Sequence, residues 1–415
     1  MSRERIIIVG GDAAGMSAAG QIRNLQPDAE IIVYERSGYT SYAACGIPYY
    51  VAGLVEPVTR LVVRTPEEFR KKQDIEVQVR HEVLSLDLSK GRVLVRDLES
   101  GREFEDPFGR LLLATGASPF LPPVEGADGE GIFTLNTLET GIAARNYVDT
   151  VKPERVVVIG GGYIGLEMAE AFGCVRDMKV TLIDKAPQVM STFDPDMAEL
   201  IASAIRGIGT ELRLGEGLVG FDLTDGRVSA VRTDFGTIPT DMVIMGLGVR
   251  PNSELAGEAG MTLSVRNSIA ADTSMATSHP AVWAAGDCAS TFHLLDGEPF
   301  WVALGTVANK MGRIAGISMG GGQAELRGVL GTAMSKHCGY EVARTGFNEK
   351  EAVARGLKYE TSMIKTKTRR LPGAEDMHVK LLGRKGPAAF SAGRSSEAGG
   401  SAKQVDIIAR PSRPE

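Results

Sequence analysis

Short runs of apolar residues, each followed by glycine, recur along the chain and predict the strands of an α/β protein. Residues 6–9 read I-I-I-V and residues 156–159 read V-V-V-I, and both runs end in glycine. Each run leads into a stretch compatible with a helix, then into a second apolar run that ends in an acid, Glu35 or Asp184. This succession of strand, tight turn, helix and second strand is typical of a βαβ unit with parallel strands.

The two units are copies of one device, separated by 150 residues along the chain. Their shared glycines are Gly10 and Gly15 in the first copy and Gly160, Gly162 and Gly165 in the second. The second copy therefore has the complete G-x-G-x-x-G pattern, whereas the first has Asp12 at the middle position. An acid would repel a pyrophosphate there, so the Asp12 side chain must turn away or meet a counter-charge, and we favour a solvated loop residue.

Such a glycine turn, placed between a strand and a helix, indicates a dinucleotide-binding site. The glycines let the backbone approach a pyrophosphate, and the helix N-terminus favours its negative charge. The acids at the ends of the second strands, 20 and 19 residues beyond the last glycine, would accept from a ribose hydroxyl. Two such sites in one chain predict a flavin together with a nicotinamide nucleotide.

Two further apolar runs decide which copy binds which nucleotide. Residues 271–287 include a strand that runs into Gly286 and Asp287, and this carboxylate would reach a ribityl hydroxyl of FAD in the first copy. The run L-L-L-A-T-G-A at 111–117 predicts another strand and marks where the chain leaves that domain. The second copy is therefore an insertion that binds NAD(P)H, and the chain returns through G-L-G-V-R-P-N.

The composition excludes several classes of function. The 415 residues carry a net charge of −6 without a basic block, which argues against nucleic acid as a partner. No apolar run is long enough to span a membrane, and the first is too short for a signal peptide. The four cysteines form no C-x-x-C pair and show no metal spacing, so we expect a cytoplasmic protein without a metal site.

One cysteine lies in a setting that predicts redox chemistry. Residues 41–50 read S-Y-A-A-C-G-I-P-Y-Y, and the positions five residues before and after Cys45 hold Thr40 and Tyr50 rather than a second cysteine. Pro48 fits the first turn of a helix, which would place Cys45 near a helix N-terminus that lowers a thiol pKa. A single cysteine stores oxidising equivalents only with a partner from outside, as a mixed disulfide or a sulfenic acid.

The other three cysteines are expected to be structural. We expect Cys174 to pack on its helix, Cys288 to lie near FAD without a redox role, and Cys338 to be structural.

Together these motifs resemble the flavoprotein disulfide reductase superfamily, over residues 5 to about 382. The single cysteine resembles the branch that contains coenzyme A-disulfide reductases, NADH oxidases and NADH peroxidases. The resemblance implies an enzyme in which NAD(P)H reduces FAD and Cys45 then reduces a small disulfide or polysulfide. The alternatives are an oxidase or peroxidase that cycles through a Cys45 sulfenic acid, an electron-transfer reductase for a protein partner, and an FAD-binding protein inactivated by its tail.

The resemblance also implies roles for particular residues. Cys45, Ser41, Tyr163 and Glu167 would be catalytic, with Tyr163 and Glu167 on one face of a helix as a flavin lid and a nicotinamide contact. The residues expected to bind FAD or NAD(P)H are Gly10, Gly15, Glu35, Arg36, Ala114, Thr115, Gly116, Asp287, Gly160, Gly162, Gly165, Asp184 and Gly246.

The implied substrate contacts are incomplete. Ser17, Gln21 and Ser41 fit positions used around coenzyme A, but Asn24 and Ala44 stand where an arginine and an asparagine are expected. The sequence therefore leaves open whether the substrate is coenzyme A-disulfide or a smaller disulfide, persulfide or polysulfide. Asp184 would repel the extra phosphate of NADPH, which favours NADH.

The expected architecture is two doubly wound Rossmann-like domains and a truncated α+β interface domain. The predicted bounds are 1–119 and 249–325 for the FAD domain, 120–248 for the NAD(P) domain and 326–415 for the interface domain. After about residue 383 the family pattern breaks, and the residues that follow predict a flexible linker. Compensating frameshifts would explain this break, and resequencing of the gene would test that explanation. We expect a homodimer if the interface domain is intact.

Overall fold

The computed structural model describes residues 3–337, 339–367, 376–384 and 390–396, and the chain divides into two compact units. The first unit consists of residues 1–44, 57–118 and 249–329. The second consists of residues 45–56, 119–248 and 330–415.

The first unit is built on a parallel sheet of five strands. In sheet order these strands are Val282–Ala284, Arg110–Leu113, Arg5–Val9, Glu30–Glu35 and Ile75–Val79. Ile6, Ile7 and Ile8 of the central strand are fully buried, because the continuous apolar run allows helices to cover both faces of the sheet. The helices of this unit are Ala13–Leu25, Pro66–Gln73, Glu254–Glu258 and Gly305–Met319.

A second, antiparallel sheet accompanies it. Its three strands are His81–Asp87, Arg92–Asp97 and Glu103–Pro107. The shorter strands of this part of the chain are Ala117–Pro119, Val249–Pro251, Thr291–Phe292 and Pro299–Phe300.

The second unit contains another parallel sheet of five strands. In sheet order these are Glu211–Leu214, Lys179–Asp184, Arg155–Ile159, Met242–Met245 and Ile132–Phe133. Its helices are Ile47–Ala52, Leu138–Val151, Tyr163–Glu170 and Pro195–Gly207, with a π-helical turn at Ala171–Val175. The antiparallel strands Leu218–Thr224, Arg227–Thr233 and Gly236–Pro239 complete this part. Two parallel sheets with strand–turn–helix–strand units confirm the predicted α/β fold class.

The C-terminal residues of the second unit form an antiparallel sheet. Its order is Ala333–His337, Tyr340–Thr345, Phe390–Ser396, Asp376–Arg384 and Tyr359–Lys367, and the helix Glu349–Ala354 accompanies it. The predicted linker is therefore wrong for residues 390–396, which pair with strands on both sides. Every residue except proline carries a backbone N–H and a C=O that can join a ladder, so a segment without periodicity can still form a strand. Residues 385–389 and everything beyond 396 lie outside the described residues.

Within the second unit, a buried lysine ties this sheet to the helix Pro195–Gly207. Lys380 Nζ lies 2.8 Å from Asp196 Oδ2 and 3.3 Å from Asp194 Oδ2, and it also contacts Glu349. The Lys380 side chain is only 6% exposed. Burial disfavours its charge, but the hydrogen bonds to Asp196 and Glu349 prevail and raise its pKa. One ammonium thus neutralises part of the charge of three carboxylates.

Replacing Lys380 by methionine keeps most of the side-chain volume but leaves these carboxylates uncompensated. We expect Lys380→Met to lower the free energy of unfolding by about 3 kcal/mol, the cost of breaking a buried ion pair on one side. Urea unfolding curves measure this loss. The matched control is Lys365→Met, since exposed Lys365 also pairs with a carboxylate, that of Asp376, and should change stability by less than about 1 kcal/mol. Equal effects of the two variants would contradict the role of Lys380.

Candidate functional site

Both glycine turns begin with a glycine that has a positive φ angle and no room for a side chain. Gly10 has φ +109° and Gly160 has φ +105°. A Cβ atom on Gly10 would lie 2.1 Å from the carbonyl oxygen of Ala114, and one on Gly160 would lie 2.4 Å from that of Gly246. Ala114 and Gly246 each follow the strand that neighbours the glycine turn in its sheet. Only glycine, which has no Cβ atom, allows the backbone to approach these carbonyl groups so closely. The four predicted cofactor residues therefore form two pairs, one at the carboxyl end of each parallel sheet.

The helices begin equally close to these turns. A Cβ atom on Gly15 would lie 1.9 Å from the Gly10 oxygen, and one on Gly165 would lie 1.9 Å from the Gly160 oxygen. The third glycine of each copy is thus required by close packing of helix on strand.

The strand-end acids bind the glycine turns in the same way in both copies. Glu35 accepts a hydrogen bond from the backbone N–H of Gly11 at 2.8 Å, and Asp184 accepts one from Gly161 at 2.6 Å. The second oxygen of each acid accepts from the N–H two residues further along, in Ser37 and in Ala186. A carboxylate has about four lone-pair positions, so each acid still has capacity for a ribose hydroxyl. Arg36, also predicted here, is exposed.

The copies differ at the middle position. A Cβ atom on Gly162 would point into open space: apart from its chain neighbours and its own helix, no described atom lies within 4 Å of that position. Close approach of a pyrophosphate requires such space. Asp12 is half-buried. Its pKa is raised to about 6 by burial, with a hydrogen bond from the Tyr42 N–H acting against the rise and the charge of Glu35 adding to it. The prediction of a solvated loop residue is therefore wrong in part, because Asp12 is only half-exposed and is the N-cap residue of the helix Ala13–Leu25.

Asp287 follows the strand Val282–Ala284 in the first unit and offers an acceptor. Its Oδ1 atom is buried and has no hydrogen-bond partner among the described residues. Burial raises the pKa of Asp287 to about 6. An unpaired buried oxygen is costly, and a ribityl hydroxyl of FAD would satisfy it. The residues of this unit therefore fit a flavin dinucleotide.

The chain leaves and re-enters the first unit at one hydrogen-bonded point. Thr115 Oγ1 donates to the Asn252 carbonyl at 2.5 Å, and Asn252 Nδ2 donates to the Thr115 carbonyl at 2.8 Å. The Asn252 N–H also donates to the Gly116 carbonyl at 3.0 Å. Sequence reasoning marked Thr115 and Gly116 but missed Asn252, although it belongs to the motif G-L-G-V-R-P-N.

The predicted substrate residues of the first unit lie on one helix and on the loop beside the glycine turn. Ser17 Oγ donates to Asn309 Oδ1 at 2.8 Å, Gln21 is half-buried and Asn24 is exposed. Ser41 has φ +48°, unusual for a residue with a side chain, and its N–H donates to the Gly11 carbonyl at 3.1 Å.

The cysteines differ sharply in their surroundings. Cys45 is exposed in the short helical turn Ala44–Gly46, directly before the helix Ile47–Ala52, which has Pro48 in its first turn as predicted. Cys288 is fully buried, and burial raises the pKa of its thiol, so it is a poor nucleophile. The packing prediction for Cys174 is wrong, since it is exposed on the π-helical turn Ala171–Val175. Cys338 lies outside the described residues.

Tyr163 and Glu167 lie on the helix of the second glycine turn. Burial raises the pKa of Tyr163 to about 12, and it also raises the pKa of Glu167, against a hydrogen bond of 2.7 Å from Ser335 Oγ. Glu167 lines a cavity of about 200 Å³ together with Tyr49 and Lys336. Sequence reasoning missed Tyr49, Ser335 and Lys336, because their relation to Glu167 is set by packing between distant segments.

Among the residues that the structure covers, no helix is both long and apolar enough to cross a membrane. The same residues contain no group of three or more histidine, cysteine or acidic side chains arranged to hold a metal ion.

A family model described as pyridine nucleotide-disulphide oxidoreductase matches residues 4–312. The chain belongs to this family. It is accordingly an oxidoreductase that depends on FAD and NAD(P)H, and the predicted family and cofactors are confirmed.

Individual members of the pyridine nucleotide-disulphide oxidoreductase family resemble the chain over most of its length. The NAD(P)H coenzyme A polysulfide/persulfide reductase of Pyrococcus horikoshii is 38% identical over 91% of this chain and 84% of its own. An NADH oxidase of Methanocaldococcus jannaschii is 35% identical over the same shares. The structure of an NAD-dependent persulfide reductase from A. fulgidus superposes with a TM-score of 0.93 and 34% identity, covering 98% of this chain and 76% of that one.

Asp287 provides a test of the FAD site in protein stripped of FAD. Its pKa of about 6 in the folded protein exceeds its ordinary value of 3.8, so the folded state favours the neutral acid and loses stability as the pH rises from about 4 to 6. We expect Asp287→Asn stripped of FAD to escape this loss, worth about 3 kcal/mol by pH 7. Before stripping, the purified variant should hold less FAD than the wild type. Thermal unfolding against pH and the flavin absorbance measure the two effects.

Asp97→Asn is the control with the opposite sign. Hydrogen bonds from Ser100 and Glu99 hold the pKa of Asp97 below its ordinary value. The wild type therefore gains stability over Asp97→Asn as the pH rises through the acidic range in which Asp97 ionises. A stability difference between wild type and Asp287→Asn that does not vary from pH 4 to 7 would contradict the assignment.

Proposed function

We propose that this enzyme reduces a low-molecular-weight persulfide, polysulfide or coenzyme A-disulfide with electrons from NAD(P)H, using Cys45 as its redox-active group. The observation that carries the proposal is the contrast between Cys45, an exposed thiol at the start of a helix, and Cys288, which is fully buried. The names of the Pyrococcus horikoshii and A. fulgidus relatives support this class of substrate.

A single thiol carries out the exchange in two balanced steps. The Cys45 thiolate attacks one sulfur of the substrate disulfide, forming a mixed disulfide and releasing the other half as a thiolate. Two electrons and one proton then convert the mixed disulfide into the Cys45 thiolate and a released thiol. The bound FAD and NAD(P)H would supply the hydride chemistry from which these electrons come.

Tyr49 is suited to assist Cys45. It lies four residues beyond the thiol, on the helix Ile47–Ala52 that follows the turn of Cys45. Burial raises its pKa, and the negative charges of Glu167, Glu170 and Cys45 raise it further. Its hydroxyl therefore stays protonated at neutral pH and is available as a hydrogen-bond donor toward a thiolate.

We propose NADH as the preferred reductant. The Asp184 carboxylate is held by the N–H groups of Gly161 and Ala186, so it has little freedom to turn away from a nucleotide. A fixed negative charge at this position favours the ribose hydroxyl of NADH over the phosphate of NADPH.

An NADH oxidase is the second candidate, because the Methanocaldococcus jannaschii relative carries that name. In that case Cys45 would cycle through a sulfenic acid. The two functions differ in the oxidant that restores the reduced enzyme.

Exchange of Cys45 for serine separates these possibilities. We expect Cys45→Ser to accept electrons from NADH anaerobically but to lose thiol or sulfide release by on the order of 10³-fold or more, as for loss of a nucleophile. The measurement is the flavin spectrum during NADH titration, followed by addition of polysulfide or coenzyme A-disulfide. Cys174→Ser, which also removes an exposed thiol, should retain wild-type turnover.

A Cys45→Ser enzyme with full turnover would reject the proposal in favour of an electron-transfer reductase. A wild-type enzyme that is reoxidised by oxygen or peroxide but by none of the sulfur substrates would establish the oxidase or peroxidase instead.

Asn24 is a test of the substrate class. Restoring the expected arginine should lower the KM for coenzyme A-disulfide by about tenfold or more, the contribution of one charged hydrogen bond to a phosphate. Inorganic polysulfide, which has no phosphate, should show an unchanged KM. The control Asn24→Gln lengthens the side chain without adding charge, and steady-state kinetics with both substrates provide the readout. An equal change for both substrates would show that Asn24 does not face the phosphate of a coenzyme A moiety.

A further inference from the structure

One face of a C-terminal hairpin is directed at the helix that carries Tyr163 and Glu167. The hairpin consists of the antiparallel strands Ala333–His337 and Tyr340–Thr345, in which Ala333 lies opposite Arg344 and Ser335 opposite Val342. Side chains alternate along a strand, and directly opposite residues share a face. Ser335 and Arg344 therefore lie on one face of this hairpin.

Ser335 reaches Glu167 directly. Its hydroxyl donates a hydrogen bond of 2.7 Å to Glu167 Oε1. A hydroxyl donor favours the ionised carboxylate, whereas burial of Glu167 favours the neutral acid. Ser335 therefore opposes the rise that burial causes in the pKa of Glu167.

Arg344 acts on Tyr163, the second residue of the helix face that carries Glu167. Its guanidinium donates to the backbone carbonyls of Thr192 and Gly346 and pairs with Glu351 at 2.8 Å. The positive charge of Arg344 also opposes the rise in the pKa of Tyr163 that burial causes. The same face of the hairpin thus acts on both residues, which are spaced one helical turn apart.

We infer that Ser335 is a positioning residue for binding of the nicotinamide nucleotide: its hydroxyl fixes the orientation of the Glu167 carboxylate and favours its ionised form. The inference rests on the proposed function, in which NADH is the reductant, and on the nicotinamide contact that the family resemblance implies for Glu167. It assigns to the C-terminal sheet a part in the nucleotide site of its own chain.

Other titratable groups line the same cavity as Glu167 and enter the test. Glu170 lies on the same helix, Tyr49 on the helix Ile47–Ala52, and Lys336 on the strand beside Ser335. Because the Ser335→Ala variant leaves all three in place, a changed pH dependence in that variant reports the loss of the hydroxyl.

The experiment measures the dissociation constant of NAD⁺ for the FAD-loaded protein by titration calorimetry between pH 5 and 9, without turnover. Ser335→Ala should weaken binding by about fivefold at neutral pH, as for one lost hydrogen bond, and should move the midpoint of the pH dependence to higher pH. Ser335→Thr, which keeps the hydroxyl, should restore both values. Ser362→Ala, on the exposed strand Tyr359–Lys367 of the same sheet, is the control and should match the wild type.

A Glu167→Gln background removes the carboxylate on which Ser335 acts. There, Ser335→Ala should cause no further change, and this double-mutant comparison guards against a general folding defect. Wild-type affinity and pH dependence in Ser335→Ala, or an equal loss in the Glu167→Gln background, would overturn the inference alone. Absence of NAD⁺ binding by the wild type would overturn the proposed function and the inference together.

Discussion

The close passage of two strand ends is the constraint on which both nucleotide sites depend. At Gly10 and at Gly160 the backbone runs so near the carbonyl of the adjacent strand that no side chain fits. This contact fixes where each helix begins, and the acid at the next strand end then holds the turn through a backbone N–H. The chain uses this arrangement twice, with the same hydrogen bonds, although the two copies share only part of their sequence.

The exception at Asp12 shows what the arrangement tolerates. A half-buried carboxyl group replaces the middle glycine beside Glu35, and burial together with the charge of Glu35 raises its pKa. The first turn thus keeps its geometry without the glycine, because the middle position is free of the steric conflict found at Gly10. The chemical character of the two nucleotide sites therefore diverges at a position where the backbone does not.

The sequence predicted most of what depends on local pattern. The fingerprint strands, the helices after them, the acids at Glu35 and Asp184 and the helix start near Pro48 all follow from periodicity and turn chemistry. It failed where contacts between distant segments decide. The hydrogen bond between Ser335 and Glu167 joins residues 168 positions apart. Cys174 is exposed on a π-helical turn, which helix periodicity does not indicate. Residues 390–396 form a strand because neighbouring strands offer unpaired backbone, which composition does not reveal.

The position of that strand affects how the protein folds during synthesis. Phe390–Ser396 comes last of the five strands along the chain, yet it lies in the middle of the C-terminal sheet. The two pairs of strands on either side of it have no direct ladder with each other, so they cannot join until the last strand leaves the ribosome. Such late, non-local pairing is slow and leaves strand edges exposed to other chains in the meantime. A nascent chain will therefore complete its two parallel sheets well before the hairpin with Ser335 acquires its neighbours, and chaperone demand should concentrate on this final step.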